Sequence, residues 1–231
     1  MEREAFLNRI AERLGRPRLR RAPARALVGV PEFHREQPFG TDHPPDLPER
    51  FALELTRVGG EVLFARNLDG LHALLRSVLE RWQARHVVGW ARTELAGFEL
   101  DWLWNLPQVR AYGDPGLGSE AELRRGLLGA DVGITGVDFA IANSGTLVLS
   151  AAVGRPRGVS LLPSLHVALV RQSQLVPRMG EALSGYEARP AGLPSAVHFI
   201  TGPSRTSDIE NDLTIGVHGP ASVIVLMLLG A

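Results

Sequence analysis

Residues 61–90, E-V-L-F-A-R-N-L-D-G-L-H-A-L-L-R-S-V-L-E-R-W-Q-A-R-H-V-V-G-W, decide the fold. Glu61–Ala65 is a short apolar run that reads as a strand. Across residues 68–83, Leu71, Leu74, Leu75, Val78, Leu79 and Trp82 recur at spacings of three and four, which predicts a helix with one apolar face. Residues 86–90 form a second short apolar run. Strand, crossing helix and strand in that order are how parallel neighbours are joined.

The same alternation extends on both sides. Residues 49–58 read as a helix, 109–112 as a strand and 120–128 as a helix, so the simplest architecture is an open, mainly parallel, doubly wound α/β sheet. Beyond Ala130 the character changes. Residues 131–137, 139–142, 146–151, 158–162 and 167–171 are short, β-rich and separated by Gly, Pro and Ser. Asn143-Ser144-Gly145 between two apolar runs predicts a hairpin. The second half therefore predicts antiparallel pairs inserted into the parallel pattern, a mixed α/β fold. Residues 197–201 read as a strand ended by Gly202-Pro203. Ser207-x-x-Glu210 has the form of a helix capping box, and residues 222–229 read as a central buried strand.

At the other end, Phe6, Leu7, Ile10 and Leu14 recur at helical spacing, predicting a helix over residues 2–14 that Gly15 and Pro17 stop. Residues 16–48 then alternate prolines, histidines and charges without a period, as an extended surface segment does. The expected organisation is an N-terminal helix and Pro-rich arm, residues 1–47, followed by one α/β domain, residues 48–231.

Composition removes several function classes. Of 231 residues 45% are hydrophobic and 22% charged, which places the chain among ordinary globular proteins. A formal charge of zero gives no global electrostatic case for nucleic acid or an anionic membrane as a partner. There is no cysteine, hence no disulfide, no thiol nucleophile and no thiolate to hold a cluster. Every one of the 25 basic residues is arginine, which removes Schiff-base chemistry, a lysine base and the P-loop lysine. The charged N-terminus lacks the apolar core of a signal peptide, and residues 221–229 are about half the length that spans a bilayer. A cytoplasmic location is the expectation. No G-x-G-x-x-G follows an early strand, and there is no G-x-S-x-G elbow.

Four stretches hold the polar chemistry. In residues 135–146, Asp138 suits a general base and Ser144, Gly145 and Thr146 suit an anion-binding turn; the same residue types also make an ordinary hairpin. His166 opens a strand after Pro163-Ser164-Leu165, and its imidazole suits acid–base work near neutral pH or a plain strand start. In the loop 202–210, Arg205 with Ser204 and Thr206 forms a cradle for an anion, while Glu210 either caps a helix or serves as base or nucleophile. A crevice beyond a strand's carboxyl end is where such a loop would bind its ligand. His218 lies in the turn G-V-H-G-P. His166, His198 and His218 show no metal-ligand spacing, so no metal site is expected.

Taken in order, T-G-V-D-F-A-I-A-N-S-G-T-L-V-L, L-L-P-S-L-H-V-A-L-V, G-P-S-R-T-S-D-I-E and G-V-H-G-P resemble the motifs of the LUD-domain family, and within it the lactate-utilisation protein C group. The resemblance spans residues 48–231, and its specific part is the 202–210 block. It implies a fold related to the sugar-phosphate isomerase and CoA-transferase group (NagB/RpiA/CoA-transferase-like). It also implies a non-redox role beside two iron–sulfur lactate-utilisation proteins, like LutA and LutB, that oxidise L-lactate to pyruvate. The clusters would sit in those partners and no cofactor in this chain. As site residues it implies Thr135, Asp138, Gly145, Thr146, Ser164, His166, Gly202, Ser204, Arg205, Thr206, Asp208, Glu210, His218 and Gly219, with a small carboxylate or other anion as ligand. The chain departs from the pattern at Asn143 and Ala221, where the resemblance would place an acid and a base. The alternative is a stand-alone isomerase or acyl-CoA transferase that binds phosphate or CoA, with Asp138 or Glu210 as base or nucleophile.

Overall fold

The computed structural model describes residues 46–112, 120–188, 194–207 and 213–230, and positions 5, 8, 9, 12, 13 and 15. Contacts divide the chain into two units, Met1–His43 and Pro44–Ala231. In the first, residues 5, 8, 9, 12 and 13 are helical and exposed. The apolar positions expected to form that helix's buried face, and the Pro-rich arm through residue 45, lie outside the described residues.

The second unit holds twelve described strands. They are β1 (Glu61–Ala65), β2 (Val87–Gly89), β3 (Val109–Ala111), β4 (Val132–Thr135), β5 (Phe139–Ile141), β6 (Thr146–Ser150), β7 (Leu165–Arg171), β8 (Leu175–Val176), β9 (Val197–Ile200), β10 (Arg205–Ser207), β11 (Leu213–Ile215) and β12 (Ser222–Leu228). The described helices of this unit are α1 (Leu47–Arg57), α2 (Leu68–Arg81), α3 (Asp101–Trp104), α4 (Glu120–Leu128), α5 (Gly158–Leu161) and α6 (Met179–Glu187), besides short 3-10 turns.

Six strands form one all-parallel sheet in the order β1-β12-β7-β4-β2-β3. The central strands β4, β7 and β12 are buried along almost their whole length, as parallel strands covered on both faces must be. Helix α2 follows its predicted pattern. Asn67 caps it by accepting from the Gly70 amide at 2.8 Å, and Leu71, Leu75, Val78 and Leu79 are buried. Trp82 falls off that face, because the helix ends at Arg81, and it is exposed.

The antiparallel pairs are not inserted into the parallel sheet. They form a separate four-stranded sheet, β8-β5-β6-β9, in which β8 joins β5 in parallel, and a two-stranded one, β10-β11. Asp138 turns the chain out of the main sheet after β4, and its amide bonds the Val148 carbonyl of β6 at 2.8 Å. One face of the second sheet, with Ala140, Leu147 and Leu149, joins the main core; the other, with Ile141 and Val148, packs on Ala182 and Tyr186 of α6.

One local expectation is overturned. Residues 158–162 read as β-rich, yet 158–161 are the short helix α5. The reason lies opposite it: a Cβ on Gly133 of β4 would stand 1.8 Å from the Val159 carbonyl oxygen, so the absent side chain is what lets α5 press onto the sheet. Ser207 is the last residue of β10 and pairs with Leu213 of β11; the helix expected after it falls in residues 208–212, outside the described residues.

Candidate functional site

The predicted site residues fall into three groups. The largest gathers at the C-terminus of α1. Gly145 ends the hairpin turn with φ of 60°, and a Cβ there would lie 2.3 Å from the Leu55 amide nitrogen, so the turn rests on the helix backbone itself. Gly202, after β9, sits on Val58, where an added Cβ would lie 2.8 Å from Cγ2 and 2.9 Å from the carbonyl oxygen. Arg205 donates from Nη2 to the Val58 carbonyl at 2.6 Å, satisfying an end-of-helix carbonyl with a cation where the helix dipole favours one. A chain of hydroxyls joins the two turns: Ser144 Oγ and Thr146 Oγ1 are 2.7 Å apart, and Thr146 Oγ1 and Thr201 Oγ1 are 2.8 Å apart.

The same loop is tied to the strand β12. The Ser204 amide donates to the Pro220 carbonyl and the Ser204 carbonyl accepts from the Gly216 amide, each at 2.9 Å. Gly219 lies against the Ser204 side chain. Ser164 is linked through its carbonyl, which accepts from Ser222. Thr206 lies in β10, and His218 is exposed in the turn before β12. Asp208 and Glu210 lie outside the described residues.

This places the loop differently from the expectation. It follows the carboxyl end of β9 in the four-stranded sheet, but it faces the amino ends of β1 and β12 in the parallel one. The crevice rule for open sheets therefore does not apply to it.

The second group is a buried pair inside the sheet. Thr135 Oγ1 and His166 Nε2 are 2.8 Å apart, and both residues are wholly inaccessible. His166 stands in register with Gly133 and Val223, beneath α5. Its Nδ1 is buried without a partner. An unpaired acceptor is tolerated better than an unpaired N–H, so the proton sits on Nε2 and is donated to Thr135. Burial pushes the imidazole down to about 4 from its ordinary 6.5. It is neutral in the fold, whereas the unfolded chain takes up a proton near 6.5. The stability that goes with this is complete above that value and is lost as pH falls from 6.5 towards 4, by about 2 kcal/mol between pH 7 and pH 5. Urea unfolding at those two pH values is expected to show the loss, and His166→Gln to flatten it; an equal slope in the variant would refute the assignment.

The third group surrounds Asp138, whose side chain is 5% exposed. Its Oδ2 accepts from the Ser150 amide at 2.6 Å and the Tyr186 hydroxyl at 2.7 Å, and its Oδ1 from Arg155 Nη1 at 2.9 Å. Arg155 also donates from Nε to Glu94 at 2.5 Å and lies over the Trp90 ring. Burial works against the Arg155 charge, and the carboxylates of Glu94 and Asp138 outweigh it, so its pKa lies above the ordinary value. With both oxygens occupied by donors, Asp138 has the geometry of an anchor. Glu94, Arg155 and Tyr186 were not foreseen: they stand 44, 17 and 48 residues from Asp138 in sequence, and no period or motif joins them. The one local hint is an arginine set between Gly154 and Pro156 in a tight turn.

The histidines do not converge. His166 is inside the sheet, His198 is on β9 with its pKa lowered by burial and by Arg157, and His218 is exposed. Among the described residues no three metal-ligating side chains come together. No described helix is long and apolar enough to cross a membrane.

Comparison with known proteins agrees with the motifs. The chain is 35% identical to lactate utilization protein C of Halalkalibacterium halodurans, with 94% of each chain covered. It is 33% identical to the protein of that name from Bacillus subtilis, over 97% of this chain and 95% of the other. A crystal structure of a DUF162 family protein from Deinococcus radiodurans superposes with a TM-score of 0.51 at 21% identity, covering 80% of this chain and 96% of that one, which is a likeness of fold. The LUD domain model matches residues 48–228, four-fifths of the sequence and all of the parallel sheet, and the chain belongs to the LUD domain family.

Proposed function

We propose that this chain is a cytoplasmic, non-redox subunit of a lactate-utilisation system, acting with two iron–sulfur proteins that oxidise L-lactate to pyruvate. The observation that carries the reading is a conjunction. Relatives alike over nearly their whole length bear the name lactate utilization protein C, and this chain has no cysteine to ligate a cluster. Oxidation of lactate to pyruvate releases two electrons and two protons, and cysteine-rich partners would receive the electrons.

On this reading the Arg205 loop supplies recognition of an anion. One of the five guanidinium N–H groups is held by Val58; the others, on an exposed side chain, suit a carboxylate of the substrate or of a partner protein. The hydroxyls of Ser144, Thr146 and Thr201 next to it suit the substrate's own hydroxyl or keto oxygen. In lactate-dependent dye reduction by the two reconstituted iron–sulfur proteins under anaerobic conditions, Arg205→Ala is expected to lower the rate supported by this chain about tenfold or more, from the loss of a charge-assisted contact. A variant that folds and supports the parent rate would remove the loop from the account.

A further inference from the structure

At the opposite end of the parallel strands lies a cleft that none of the motif residues lines. It has a volume of about 440 Å³ and is bordered by Arg66, Asn67, Asp69, Arg171, Leu228 and Gly230. Arg66 follows the last residue of β1, Arg171 ends β7 and Leu228 ends β12. These three strands are parallel neighbours, so the cleft opens outside their carboxyl ends, the side on which open α/β sheets hold ligands. Its volume is that of a small-molecule site.

The two arginines differ in a way that suits capture of an anion. Arg171 is a fixed wall. Its Nη2 donates to the Gly97 carbonyl, its guanidinium lies 5.1 Å from the Phe98 ring, and its amide donates to Gln174 Oε1 at 2.8 Å. Arg66 makes no hydrogen bond or ion pair with any described residue, and is exposed. Among the described residues Asp69 is the one acid of this cleft. Asp46 and Glu49 border an adjoining cleft of about 350 Å³ that shares Arg66 and Leu229. Among the described residues, two guanidiniums against one carboxylate leave the larger cleft cationic. Its remaining wall is the first turn of α2, where Asn67 takes the Gly70 amide and the amides of Leu68 and Asp69 have no backbone acceptor.

We propose that this cleft is an oxyanion site, taking the phosphate or carboxylate group of a small metabolite between Arg66 and Arg171. It stands apart from the Arg205 loop and does not depend on the lactate reading. The test uses the full-length, ¹⁵N-labelled chain, titrated separately with inorganic phosphate and with pyruvate at constant ionic strength, sodium chloride serving as the control. At least one of the two is expected to move the Leu68 and Asp69 amides saturably at millimolar concentration, and which one does so identifies the group. Arg66→Gln is expected to weaken that binding about tenfold and Asp69→Asn to tighten it several-fold, from the loss of an attractive and a repulsive charge respectively. Arg205→Ala is expected to leave it unchanged, which separates this site from the loop. Saturable shifts confined to residues 202–219, equal affinity in Arg66→Gln, or no saturation by about 20 mM of either anion, a Kd too weak for a built site, would overturn the proposal.

Discussion

Asp138→Ala is expected to lower stability by about 3–5 kcal/mol, the cost of leaving three part-buried donors without their acceptor. The substitution strands three donors at once: the Arg155 guanidinium, the Tyr186 hydroxyl and the Ser150 amide. For a chain of this length that is a fall of about 6–20 °C in Tm. Differential scanning calorimetry measures it directly. Arg155→Met removes the cationic side of the same pair, so the double variant is expected to lose less than the sum of the two single ones. A Tm within about 2 °C of the parent for Asp138→Ala, under 1 kcal/mol at this size, would mean that the network does not hold the hairpin to the sheet.

Gly145→Ala is the second large effect, expected at about 2–5 kcal/mol. A methyl group there meets the Leu55 amide nitrogen at 2.3 Å, the Leu55 Cα at 2.6 Å and the Glu54 carbonyl carbon at 2.8 Å. All three are backbone atoms of a helix and have no rotamer in which to yield. Overpacking of this kind costs about 1–3 kcal/mol, and φ of 60° adds about 1–2 kcal/mol for a residue with a Cβ. Gly180→Ala is the matched control. It lies in the first turn of α6 with nothing within 4 Å of the added Cβ, so alanine is expected to be neutral or to stabilise by up to about 1 kcal/mol. Chemical denaturation of the two variants side by side separates the local clash from any general effect of removing a glycine; equal midpoints would contradict the packing described for the turn.

Much of the fold was legible because it rests on local periodicity. Glu61–Ala65 and Glu120–Leu128 coincide with their predicted ranges, and α2 is two residues shorter than predicted. Each carries its own pattern of apolar residues, which needs no knowledge of distant neighbours. Residues 158–162 failed for the opposite reason. A four-residue helix has too few turns to show a period, and what selects it is the bare backbone of Gly133, 25 residues earlier.

The candidate site divides along the same line. Gly202, Ser204, Arg205 and Gly219 come together as a crowded polar loop suggests, joined to the Ser144–Thr146 turn by Thr201. That they meet over the last turn of α1 was not legible, since Leu55 and Val58 look like ordinary core positions. The partners of Asp138 were hidden in the same way: Glu94 reaches it only through Arg155, and each belongs to a different segment. Arg66 and Arg171 share a cleft only because β1 and β7 flank β12, an arrangement set by strand order.

The most direct test of the functional account is anaerobic, lactate-dependent dye reduction by the two iron–sulfur proteins, with this chain absent and then present in stoichiometric amount. The account predicts that the rate depends on the chain, and that the chain alone reduces no dye, since it has no thiolate to hold a cluster. An unchanged rate in its absence would contradict the proposal that it is a working subunit of the oxidising system.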